Sequence, residues 1–105
     1  MTFLAVYTTV GSQSEARQMA GTLVERGLAA CAQISAIESF YIWNNALANE
    51  PEYQVLFKTK AALYQAVEQA IRELHSYELP AIHACAIEHI YQPYAGWIES
   101  GCHAG

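Results

Sequence analysis

His83, Cys85 and His89 stand at even spacing near the end of this chain, alternating with Ala84, Ala86 and Glu88. In an extended segment they project from one face. An imidazole and a thiol two residues apart can reach one soft or borderline metal ion, so His83 and Cys85 form a candidate metal pair, set against a plain variation in strand packing. Cys31 and Cys102 lie far from Cys85 and from each other, which is neither a closed disulfide framework nor a CxxC pattern. An unpaired cysteine is either a small buried hydrophobe or a soft copper ligand, and no cation that would favour a thiolate adjoins Cys31 in sequence. His75 falls at the end of a helical pattern, where an imidazole either caps the helix as a cation or serves as a ligand. Cys102 and His103 sit in a glycine-flanked tail that reads as a frayed terminus. Tyr41, Trp43, Glu52, Tyr53 and Lys58 place an aromatic wall beside a carboxylate and an ammonium, which suits either a cleft or an interface.

Composition removes many alternatives. All 10 acidic residues are Glu, which excludes Asp-dependent triads, the EF-hand calcium loop and paired-Asp metal sites. No P-loop, dinucleotide glycine fingerprint, GxSxG, HExxH or paired CxxC occurs, so we expect a non-enzyme that has no catalytic residues and requires no cofactor. A net charge of -5 offers no basic stripe for phosphates or anionic lipid, and nucleic acid and membrane are not expected partners. The first residues lack a basic n-region and the apolar runs are short, pointing to a soluble, cytoplasmic protein with reduced thiols. Hydrophobic residues make up 53% of the chain and charged ones 14%, too little charge to cover its own surface, so self-association is expected.

The elements that position these residues follow from periodicity. Residues 3–9 read as a strand, and Ser12-Gln13-Ser14-Glu15 as a capping box opening a helix that Gly27 stops in a left-handed conformation. Residues 30–43 read as a long strand with a bend or bulge near Ser35-Ala36, followed by turns at Asn44-Asn45 and at Asn49-Glu50-Pro51. Residues 52–60 alternate as a strand with two useful faces, and residues 61–75 carry a helical stripe for which Thr59 is the expected cap. Residues 81–90 read as a fourth strand and residues 93–100 as a short terminal helix with Pro93 in its first turn. The order βαββαβ plus a terminal helix is the α+β, ferredoxin-like arrangement: an antiparallel sheet with two helices on one face and the other face bare.

Three segments, Leu23 to Cys31, Tyr41-Ile42-Trp43 and His75-Ser76-Tyr77-Glu78-Leu79-Pro80, together resemble the CutA family, small proteins associated with tolerance of divalent cations. The resemblance spans nearly the whole chain as a single domain, residues 1–105, and implies a PII-like homotrimer that binds divalent metal, with copper, as Cu(II), the family association. In that family, clefts between subunits draw on positions matching Cys31, His75, Tyr77 and Glu78. The implied metal ligands are therefore Cys31, His75 and Glu78, with His83 and Cys85 secondary, and Tyr41, Trp43, Glu52, Lys58 and Tyr77 lining the cleft or interface. The chain departs from the family pattern at Ser76, where Pro is usual, at Asn45 and Ala46, where Gly and Lys are usual, and at Ala81, where Glu is usual. The alternative is a PII-like trimeric small-molecule sensor or signalling scaffold whose clefts accept an organic anion. An acylphosphatase-like enzyme would need an Arg cradle after the first strand, and residues 8–12 contain no Arg.

Overall fold

The structure, a computed structural model, describes residues 1–103. Strand β1 (Phe3–Val10) leads through helix α1 (Gln13–Glu25) to β2 (Cys31–Trp43) and β3 (Ala46–Lys60). A 3-10 turn over Ala61–Leu63 opens α2 (Tyr64–Leu74), which is followed by β4 (Ile82–Ile87) and α3 (Gln92–Gly101). The sheet order is β2-β3-β1-β4 and every pairing is antiparallel, as βαββαβ connectivity requires. This is the α+β architecture expected from the sequence.

One sheet face forms the core. Val6, Thr8 and Val10 of β1 and Val55, Phe57 and Thr59 of β3 are buried there, against Ala16, Met19 and Leu23 of α1 and Val67, Ala70 and Ile71 of α2. The helix starts by its Ser12 cap, whose hydroxyl accepts the Glu15 N–H at 3.1 Å. It ends in a Schellman motif, in which Gly27 takes φ +71, its N–H reaches Val24 O and that of Leu28 reaches Leu23 O.

Several local expectations need correction. Glu15 does not close the capping box but turns to the loop after α2, as described below. Thr59 does not cap α2: its hydroxyl donates to Leu28 O at 2.6 Å and lies 3.6 Å from Cys102 Sγ. Cys102 is accordingly buried at the end of α3 rather than frayed. No bulge interrupts β2, since its register on β3 runs without a slip from Cys31↔Lys58 to Trp43↔Ala46. Asn49-Glu50-Pro51 is not a turn but part of β3. Pro51 lies beyond the last β1 partner, Tyr53, so β3 has no strand on its β1 side there, the setting in which a strand tolerates a residue without an N–H. His89 falls outside β4, so the alternation that puts His83 and Cys85 on one face does not extend to it.

Asn44 and Asn45, at φ 52 and 64, make the two-residue turn. Two successive left-handed residues give the twist that joins antiparallel strands. The β2–β3 hairpin then projects past the sheet as a two-stranded ribbon, stretching the molecule to 46 × 26 × 21 Å and exposing Phe40, Ile42, Trp43 and Leu47. No helix among the described residues is long and apolar enough to cross a membrane.

Candidate functional site: a cleft at the base of the hairpin

Alternation along the hairpin sends Tyr41 and Trp43 of β2 and Glu50 and Glu52 of β3 to the sheet face opposite the helices. The loop after α2 completes a cleft of about 560 Å³ lined by Thr9, Tyr41, Trp43, Glu50, Glu52, Tyr77, Glu78, Leu79 and Ala81. Reading Asn49-Glu50-Pro51 as a turn hid Glu50 from the sequence analysis; the alternation of positions 50 and 52, carried through Pro51, was the signal for it.

Three anchors hold that loop. The His75 side chain is fully buried, its Nε2 2.8 Å from Thr9 O and its Nδ1 3.0 Å from the Tyr77 backbone N. A carbonyl only accepts and a backbone N–H only donates, so this is the neutral imidazole with its proton on Nε2. Glu15 takes the Ser76 N–H at 2.9 Å on one oxygen and the Ser76 hydroxyl at 3.0 Å on the other. A proline at position 76 could make neither bond, so Ser76 supplies by hydrogen bonding the rigidity that the family's Pro would supply by its ring. Tyr77 Oη donates to Glu52 Oε2 at 2.8 Å, and its ring leaves little room beyond Gly11, where an added Cβ would stand 3.2 Å from Tyr77 Oη.

The cleft is electronegative. Three carboxylates line it and no Lys, Arg or His does. Burial, and then the hydrogen bond and charge of Glu52, push the Tyr77 phenol well above its ordinary pKa. Burial followed by Glu50 and Glu52 raises Tyr41 in the same direction. The lining that one chain supplies therefore offers an organic anion no cationic partner. Arg72 stands on the far side of Glu78, in a neighbouring depression of about 340 Å³ that shares Tyr77 and Glu78.

Of the residues expected at the cleft or interface, Lys58 does not line this cleft but stands on the open sheet face. It lies six residues from Glu52 along β3, about 20 Å away. Its Nζ sits 5.3 Å over the Tyr94 ring, and the Tyr94 hydroxyl is the main cause that raises its pKa.

The candidate metal ligands are dispersed. Cys31, half-buried, pairs across β3 with Lys58, which pairs with Ala5 of β1, which pairs with Cys85 of β4, so the two thiols end one cross-strand row on the open sheet face. His75 is hydrogen-bonded instead to Thr9, four residues further along β1, about 13 Å from that row. Neither His75 nitrogen has a free lone pair, because one carries the proton and the other accepts the Tyr77 N–H. Glu78 is exposed on the cleft. His83 and Cys85 do share the open face, the His83 ring stacked on Tyr7 at 5.0 Å and the Cys85 thiol exposed. Among the described residues, no three His, Cys, Asp or Glu side chains of one chain converge as a metal site.

The model of the CutA1 divalent ion tolerance protein family matches residues 4–101. The chain belongs to that family. It is 34% identical over 96 residues to a probable divalent-cation tolerance protein cutA homolog of Encephalitozoon cuniculi, covering 91% of this chain and 84% of the relative. It is 33% identical to the divalent-cation tolerance protein CutA of Archaeoglobus fulgidus, covering 90% and 92%. Among solved structures, CutA from Synechococcus elongatus superimposes with a TM-score of 0.95 at 35% identity, over 97% of this chain and 91% of that one. The Archaeoglobus fulgidus structure, described as a periplasmic divalent cation tolerance protein, superimposes with a TM-score of 0.93 at 31% identity, over 96% and 99%. The fold read from the residues and the CutA resemblance thus agree with solved relatives along nearly the whole chain. In this CutA-family member the hairpin, the bare sheet face and the anchored loop after α2 are the features on which function must be built.

Proposed function

We propose that this CutA-family protein is a non-enzymatic, cytoplasmic homotrimer that binds divalent metal ions, copper foremost, at subunit junctions and so contributes to divalent cation tolerance. The observation that carries this reading is the sheet face without helices. It holds Cys31 and Cys85 at the two ends of one row and His83 in the next row, too dispersed for a single chain to complete a site, on the surface that association would cover. Thiols and imidazoles are the donor types that select copper and zinc over harder cations. Apposed copies would bring donors of different chains together, with His83 and Cys85 as the pair already within reach of one ion and Cys31 as the further thiol. Glu78 is the donor free at the cleft end, and His75 joins only if its bonds to Thr9 and Tyr77 break.

Calorimetric titration of the reduced, metal-free protein with Cu(II) and Zn(II), with thiol oxidation followed in the same samples, tests this directly. Saturable binding at a fixed ratio per chain, lost in Cys31→Ala or Cys85→Ala and weakening as pH falls because protons compete for thiolate and imidazole, is expected. Absence of saturable binding, or binding indifferent to all of Cys31→Ala, Cys85→Ala, His83→Ala and His75→Ala, would overturn it.

A further inference from the structure

We infer that Ser76 and Glu15 clasp the loop after α2 so that His75 acts as a positioning residue for Tyr77, and not as the metal ligand that the family resemblance implies. The groups concerned are buried within one chain, so the inference does not depend on what an apposed copy covers. The His75 side chain has no exposed surface, lying between Thr9 of β1, Glu15 of α1 and the Tyr77 ring, whose centroid stands 4.8 Å from its own. Ligation through Nδ1 would take the acceptor from the Tyr77 N–H, and ligation through Nε2 would take the donor from the Thr9 carbonyl. Either leaves a backbone group without its bond and needs the loop to open.

Glu15 governs which imidazole nitrogen keeps the proton. Its Oε2 lies 3.9 Å from Nδ1, close enough for a carboxylate to draw the proton there and turn that nitrogen from acceptor into donor. Ser76 prevents this by occupying both oxygens, its N–H at 2.9 Å on Oε2 and its hydroxyl at 3.0 Å on Oε1. Nδ1 is thereby left to accept the Tyr77 N–H at 3.0 Å, which fixes the backbone of the residue whose hydroxyl reaches Glu52. A Pro at position 76 has neither donor, so the clasp depends on this chain's departure from the family pattern. His75, at φ -80 and ψ 138, already has the extended backbone that a following Pro requires, so Ser76→Pro removes the clasp without straining the residue before it.

The test is heteronuclear NMR of the protein labelled in its histidine nitrogens, in which long-range proton–nitrogen correlations show which imidazole nitrogen carries the proton. His75 is expected as the neutral ring with its proton on Nε2, and its resonances should stay in place when Zn(II) is added. The tautomer is read in metal-free protein, so failure of the metal-binding reading and failure of this one are told apart. In Ser76→Pro, and to a lesser degree in Ser76→Ala, the proton should move toward Nδ1 and the Tyr77 amide should exchange with solvent about tenfold faster. Ser76→Thr keeps both donors and should restore the parent spectrum, while Glu25→Gln on the exposed side of α1 should change neither signal. A parent His75 with its proton on Nδ1 or on both nitrogens, a His75 resonance shifted by Zn(II), or an unchanged His75 and Tyr77 in both Ser76→Pro and Ser76→Ala would each overturn the inference.

Discussion

Tyr77 joins the loop after α2 to the hairpin through one bond, its hydroxyl to Glu52 at 2.8 Å. Tyr77→Phe removes the donor and leaves one oxygen of the buried Glu52 side chain without its hydrogen bond, so unfolding in urea should show a loss of about 1–3 kcal/mol. The pH dependence has a definite sign. Burial and Glu52 raise the folded-state pKa of Tyr77 above its unfolded value. Its contribution to stability is therefore fully present below pH about 10 and lost as pH rises beyond that. The alkaline decline in urea midpoint should be shallower in Tyr77→Phe than in the parent, and an equal slope would reject the coupling. Thr8 gives the complementary case, since its buried Oγ1 has no hydrogen-bond partner among the described residues. Thr8→Val should leave stability unchanged or raise it, read by the same urea midpoint. At this scale the site was only partly legible. The run from His75 to Pro80 marked the loop, but the Glu15–Ser76 clamp joins residues 61 apart in sequence, and a capping-box pattern assigned Glu15 to a purely local role.

The decisive element is the β2–β3 hairpin, because both its strands contribute to the cleft. Its reach depends on Asn44 and Asn45 accepting left-handed backbone at φ 52 and 64. Asn44→Val should destabilise by about 1–2 kcal/mol, while Asn45→Gly should be tolerated or slightly stabilising, as thermal unfolding will report. The strands, the helices and the turn were legible because alternation, helical stripe and asparagine pairs each reflect local physics. What was not legible depended on neighbours. Pro51 reads locally as a turn former, yet β3 carries it where no strand lies on the β1 side; Thr59 reads as a cap, yet the approach of Leu28 and Cys102 gives its hydroxyl another role.

At the scale of the whole molecule, the β2–β3 hairpin dominates, and most of its exposed apolar side chains lie on the helix-side face beyond the reach of the helices. Ile34, Phe40, Ile42, Trp43 and Leu47 are all more than a third exposed, a larger apolar display than an isolated domain of this size usually carries. The surplus of apolar over charged residues already pointed to association, whereas the ligands could not be located from sequence because spacing along a strand does not reveal what an apposed copy contributes. Junction donors and trimer are one proposition. The measurement that tests it most directly is native mass spectrometry of the reduced protein with and without Cu(II). We predict a species of three chains, each of 11.6 kDa, that survives dilution and carries copper in fixed ratio to its chains. A monomer at working concentration, or a trimer that takes up no metal, would contradict it.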